Sequence, residues 1–205
     1  MKLAVPVIGI VRGVEADFFS ELMHTSFDSG LSAIELTMNT RDAEKTIYRL
    51  QSEVPEGKML GMGTIRNPDE AKRAADAGAM FFVTPNLDPE VIRFAVKKKI
   101  PIISGALTPT EIYTAWSEGA DMVKVFPCNA FGPGYIKNLG GPFDDIPLVA
   151  VGGVNEKNLS DYFAAGAAAV GVSSALFGKA AFKNRDITEI SQNIKKFINN
   201  VSTCT

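Results

Sequence analysis

Eight short apolar runs, most of them followed by a stretch of helical periodicity, limit this chain to very few folds. The runs are VPVIGIVR from Val5, AIELTM from Ala33, MLGMGTI from Met59, FFVTP from Phe81, IPIISGA from Ile100, MVKVFP from Met122, LVAVGGV from Leu148 and AAVGVSSAL from Ala168. Each is nearly continuously apolar, the pattern of a strand buried on both faces of a parallel sheet. Between them lie stretches such as DEAKRAADAG, PEVIRFAVKKK and TEIYTAWSEG, several opened by Asx, Thr or Pro and closed by Gly. A helix-terminal Gly just ahead of a strand recurs at Gly30, Gly78, Gly119 and Gly166, once in about two βα units. Right-handed crossovers between such units close most simply into a (β/α)8 TIM barrel, one domain over residues 1–205. The competing open, doubly wound sheet lacks a G-x-G-x-x-G after its first strand.

Composition removes several chemistries. The chain has one histidine, His24, so a histidine-built metal site is not expected. His24 lies inside FFSELMHTSF, an amphipathic helical pattern, and reads as a helix residue. No metal and no cofactor are expected. Acid–base work then falls to Glu, Asp, Lys or Tyr. A net charge of −2 gives no electrostatic footprint for nucleic acid or an anionic membrane. Lys97, Lys98 and Lys99 read as a solvated helix end, where cations oppose the dipole favourably. Cys128 and Cys204 lie far apart and fit a reducing, cytoplasmic setting; LAVPVIGIV is too short to span a bilayer.

A barrel carries its chemistry at the C-terminal ends of its strands, so polar residues within or ending the runs are the candidates. Lys124 is flanked by Val123 and Val125, with Met122 and Phe126 on its own face. Burial there lowers an amine's pKa and frees it as a nucleophile towards a carbonyl; the competing reading is a lysine that snorkels or pairs with a carboxylate. Glu35, with Thr37 on the same face, is a carboxylate inside AIELTM, fitted for proton transfer or for pairing with Lys124. Gly152 and Gly153 after the seventh strand, and Gly171, Ser173 and Ser174 at the eighth, stand where barrels bind phosphate. Arg12 ends the first run and is placed to grip a carboxylate or phosphate. Thr64 and Pro85 end the third and fourth, one offering a hydroxyl, the other an apolar ring.

These residues, in this order, resemble the class I aldolases of 2-keto-3-deoxy-6-phosphogluconate and 4-hydroxy-2-oxoglutarate, a family that includes a galactonate branch. IVRG, IELTMNT, GMGTI, VTPN, VKVFP, AVGGV and SSAL carry the likeness over nearly the whole chain. The resemblance implies that Lys124 forms the Schiff base and Glu35 shuttles protons. It places the pyruvyl part on Thr64 and Pro85, beside Phe126, and the phosphate on Gly152, Gly153 and Ser174. Partners are then a phosphorylated keto acid and pyruvate, and the assembly a homotrimer. Asn39 stands where some members have an arginine, leaving Arg12 or backbone N–H groups for the substrate carboxylate. Val151 stands where many gluconate-type members have Thr, and with VTPN and NAFGPGYIK it is similar to the galactonate branch. The first run starts without the helix many members place before it, which predicts thinner cover on the barrel floor. An isomerase or epimerase using Lys124 and Glu35 as acid and base, or a binding module keeping only the phosphate site, are the readings of other classes.

Overall fold

The computed structural model describes residues 1 and 3–203. Its strands are β1 (Val7–Val11), β2 (Ala33–Thr37), β3 (Met59–Gly63), β4 (Phe82–Val83), β5 (Ile102–Ala106), β6 (Met122–Val125), β7 (Leu148–Val151) and β8 (Ala169–Val172). They form a closed barrel in sequence order, every neighbouring pair parallel and β8 paired to β1. The crossover helices are α1 (Ala16–Asp28), α2 (Ala43–Leu50), α3 (Pro68–Asp76), α4 (Pro89–Lys98), α5 (Pro109–Ser117), α6 (Pro133–Leu139) and α7 (Leu159–Ala164). After β8 the chain forms α8 (Ser174–Phe177), α9 (Lys179–Asn184) and α10 (Ile187–Ser202). The (β/α)8 barrel expected from the sequence is the fold.

The helix signals act as written. The Asn67 side chain accepts from the Glu70 N–H, Asp88 from those of Glu90 and Val91, and Thr108 and Glu111 cap α5 reciprocally. Gly30, Gly78, Gly119 and Gly166 all have positive φ, so each closes a helix in the left-handed region that favours glycine. Their helices are α1, α3, α5 and α7. By contrast α2 runs on into a 3-10 turn, and α4 closes on Lys99 at φ 57°. That alternation is why the sequence repeat spans two units.

Two cores result. The larger fills the space between sheet and helices, and α10 joins it through Ile190, Ile194, Phe197 and Val201, one helical stripe. The smaller lies inside the barrel and includes Ile8, Ala33, Phe81, Ile103, Met122, Val149 and Ala169. Strand alternation from Ala33 turns Glu35 and Thr37 inward, and from Met122 turns Lys124 and Phe126 inward, nearer the C-terminal ends.

Three features differ from expectation. The fourth run holds only a two-residue strand, because Pro85 has no N–H and the Thr84 hydroxyl folds the backbone over: its Oγ1 donates to the Asn86 carbonyl at 2.7 Å and accepts from Gly105 N–H at 2.8 Å. The first strand starts at Val7, beyond Pro6. The barrel floor is not left thin: Met1 and Leu3 pack against the inner cluster, and the Met1 amine meets Asp121 Oδ1 at 2.6 Å.

His24 is a helix residue as expected, its Nδ1 2.9 Å from the Ser20 carbonyl and its Nε2 3.2 Å from Glu53. Lys97, Lys98 and Lys99 are exposed at the end of α4. Cys128 is a buried free thiol, whereas Cys204 lies outside the described residues. No helix among the described residues is long and apolar enough to cross a membrane.

Candidate active site

The register places Glu35 between Ile10 and Gly61, and Lys124 between Gly105 and Val149. Glu35 is 1% exposed and Lys124 6%. Neither forms an ion pair with the other within 4.0 Å, and Glu35 Oε2 is buried without a hydrogen-bond partner. The structural pairing weighed from the sequence is therefore not made. Burial pushes the Glu35 carboxyl up to about 7 against the pull of the Lys124 and Arg12 cations. The same burial holds the Lys124 ammonium below its ordinary value, Glu35 opposing and Arg12 reinforcing the shift. Beneath the amine lies the Phe126 ring, its centroid 4.8 Å from Nζ.

Arg12, at the end of β1, is exposed, and its Nη2 donates to Thr64 Oγ1 at 3.3 Å. Thr64 itself sits at φ 59°, strained for a β-branched residue and held on both sides by backbone bonds from Met38 N–H to the Gly63 carbonyl and from Ile65 N–H to the Val83 carbonyl. The loop after Arg12 is tied to β2, since Gly13 N–H donates to Thr40 Oγ1 at 3.0 Å and Thr40 Oγ1 lies 3.1 Å from Thr37 Oγ1. Pro85 packs where a side chain on Gly105 would be: a Cβ there would stand 2.4 Å from the Pro85 carbonyl carbon. Gly105 is the register partner of Lys124, so Pro85 and Lys124 face one side of the mouth.

Across the mouth lies a cavity of about 310 Å³. Gly152, Gly153 and Ser174 line it as the sequence suggested, and Ile10, Val151 and Gly171 connect it to the barrel interior. The expected site residues thus fall into two adjoining groups, a charged mouth and a recess lined by glycine backbone and serine hydroxyls. Sequence reasoning missed Asn155 and Lys179, which also line the recess. It also missed Cys128, whose Sγ donates to the Gly152 carbonyl at 3.0 Å, and Asn129, packed against the Gly152–Gly153 turn. None of these interrupts an apolar run, so no pattern marked them. Among the described residues no cluster of His, Cys, Asp or Glu is arranged to hold a metal.

Gly63 was missed for another reason. A Cβ on it would stand 2.2 Å from Glu35 Oε1 and 2.5 Å from the carboxyl carbon, so this glycine makes the space the carboxylate occupies. Gly63→Ala is expected to lower kcat about 100-fold by displacing the acid by about an ångström, with the far-ultraviolet spectrum unchanged. Steady-state turnover equal to that of the unmodified chain would show that the position of this carboxylate is not critical.

Residues 1–193 match the family model described as aldolase, KDPG and KHG aldolase. The chain is 34% identical over 193 residues to the 2-dehydro-3-deoxy-6-phosphogalactonate aldolase of Escherichia coli K12, covering 94% of each. It is 38% identical over 160 residues to the 2-dehydro-3-deoxy-phosphogluconate aldolase of Pseudomonas aeruginosa, covering 78% of this chain and 71% of that one. A solved native KDPGal structure superposes with a TM-score of 0.93 at 32% identity, over 100% of this chain and 98% of the other. The KDPG aldolase of Legionella pneumophila, solved with pyruvate captured as a covalent carbinolamine, superposes at 0.88 with 27% identity over 95% of each chain. The protein is an aldolase, and its chain belongs to the KDPG and KHG aldolase family.

Proposed function

We propose that this chain cleaves a 2-keto-3-deoxy-6-phospho sugar acid to pyruvate and glyceraldehyde 3-phosphate through a Schiff base on Lys124, without a metal. The observation that carries the reading is a buried lysine with no carboxylate contact, facing a buried carboxyl group in a barrel mouth that adjoins a recess lined by glycine backbone and serine hydroxyls. The neutral Lys124 amine adds to the C2 carbonyl, and the carbinolamine loses water to give a protonated imine. Glu35, working through a water, takes the C4 hydroxyl proton while the C3–C4 electron pair flows into the imine nitrogen. Glyceraldehyde 3-phosphate leaves and an enamine remains. Glu35 returns the proton to C3, and hydrolysis restores the water lost earlier, freeing pyruvate and the amine. Arg12 and Thr64 hold the substrate carboxylate, Pro85 and Phe126 flank the methyl end, and Gly152, Gly153 and Ser174 receive the phosphate. A homotrimer working in the cytoplasm completes the reading, on the family resemblance and on the free thiol of Cys128. Sedimentation at three chain masses is the expected result for the assembly.

One observation favours the galactonate isomer. Val151 points into the barrel interior against Gly171 and lines the recess, so it presents methyl groups to the site where, by the family resemblance, many gluconate-type members present a threonine hydroxyl. A difference of that kind favours one C4 epimer by about fivefold. Assay of pyruvate release from both epimers should give the higher kcat/KM for the galactonate form. A preference for the gluconate form overturns this branch assignment. Equal rates on unphosphorylated 4-hydroxy-2-oxoglutarate overturn the phosphosugar reading, and products that keep the substrate's carbon count point to an isomerase.

A further inference from the structure

The recess at the ends of β7 and β8 carries one charged side chain among the residues that line it, that of Lys179. Its other polar groups are neutral: the Gly152–Gly153 backbone, the Ser173 and Ser174 hydroxyls, and the amide of Asn155. The Asn155 amide is already engaged, its Nδ2 donating to the Gly153 carbonyl at 2.9 Å and its Oδ1 accepting from Lys157 N–H at 2.9 Å. A phosphate monoester brings nearly two negative charges at neutral pH, and these neutral donors do not balance them.

Lys179 is free to do so. It has no carboxylate within 4.0 Å among the described residues, unlike Lys45 and Lys196, which pair with Asp42 and Glu156. Its position is also fixed by an elbow of the backbone. Gly178 lies between α8 and α9 at φ 80°, and the carbonyl before it, of Phe177, accepts from Asn193 Nδ2 of α10 at 3.1 Å. A Cβ at Gly178 would stand 2.3 Å from that same Nδ2. The buried Phe177 anchors one arm of the elbow, and Lys179 opens the other, turned back to the recess.

We propose that Lys179 is the charge partner of the substrate phosphate and the residue by which this chain prefers a 6-phosphorylated keto acid to its unphosphorylated counterpart. The proposal rests on the phosphosugar reading above and assigns its specificity to one side chain. Lysine suits the task as a mobile point charge at the rim, able to meet a phosphate already seated on backbone N–H groups.

The test compares kcat and KM for the 6-phosphorylated 2-keto-3-deoxy sugar acid and for the same acid without phosphate, in the unmodified enzyme, Lys179→Gln and Lys179→Arg. Loss of one charge-assisted contact at a rim position is expected to raise KM for the phosphorylated acid about tenfold in Lys179→Gln, with kcat within about twofold. The unphosphorylated acid should be turned over equally by both forms, inhibition by inorganic phosphate should weaken to the same extent as KM rises, and Lys179→Arg should keep the preference. An unchanged ratio of the two KM values in Lys179→Gln, or an equal loss on both substrates, overturns the proposal. An unmodified enzyme that does not distinguish the two acids overturns the phosphosugar reading and this proposal with it, a result seen without any variant.

Discussion

Replacing Lys124 with methionine is expected to abolish borohydride trapping of pyruvate and to lower kcat/KM by about 10⁴-fold or more. Borohydride reduces a protonated imine to a secondary amine, so the unmodified enzyme should gain one pyruvate per chain, on the peptide that carries Lys124. Methionine keeps the length and volume of the lysine stem while removing the nitrogen, and in this barrel it has apolar company: Phe126 beside it and Val149 in register. A buried charge without a directly paired carboxylate is costly, so the substitution should leave the fold as stable or make it more so. That separates the chemical role from a structural one. Retained trapping, or adduct found on another lysine, would remove Lys124 from the mechanism. Lys124→Arg is expected to fail equally, because guanidinium stays protonated and offers no lone pair to a carbonyl.

The contrast between what the sequence shows and what it hides has a physical origin. Strands buried on both faces cannot alternate, so eight continuous apolar runs between capped helices leave the barrel as the closed solution. A charge within such a run has nowhere polar to go except the interior or the mouth, which is why Lys124 and Glu35 stand out unaided. Gly63 and Gly105 are different. Each matters through what occupies the place of its missing side chain, the Glu35 carboxylate in one case and the Pro85 backbone in the other, and those occupants come from β2 and from the loop after β4. Lys179 is one lysine among many until the turn at Gly178 and the hold of Asn193 on Phe177 are known. The three helices after β8 were likewise hidden, since the alternation of runs ends with the last strand. Met1 and Leu3 cover the floor that was expected to be thin, because a few apolar side chains suffice where many family members place a helix.

Glu35 ties activity to pH, and Glu35→Gln should separate two consequences of one buried carboxyl group. To accept the C4 hydroxyl proton it must be ionised, and Lys124 must be neutral, so kcat/KM should rise with pH through about 7, the value to which burial raises the acid. In Glu35→Gln the limb near 7 should vanish and kcat should fall by about 10²–10⁴-fold, the usual contribution of a positioned acid–base group. Stability moves the other way. Between the ordinary value of 4.5 and about 7, the folded protein keeps a proton on Glu35 that the unfolded chain has released. The contribution of this group is therefore fully present below pH 4.5, is lost as pH rises to about 7, and is constant beyond that. The shift corresponds to about 3 kcal/mol at 1.36 kcal/mol per pKa unit. Glutamine is neutral at every pH and close in shape, so the variant should gain stability relative to the unmodified protein by about that amount between pH 4.5 and 8. Urea unfolding of both proteins at each pH measures the difference directly, with the other carboxylates cancelling. Parallel curves would show that Glu35 ionises in the fold as readily as in the open chain, and the proton carrier would then have to be sought elsewhere in the mouth. A gain in stability together with a loss of turnover would show that the barrel tolerates an unfavourable buried carboxylate because the reaction uses it.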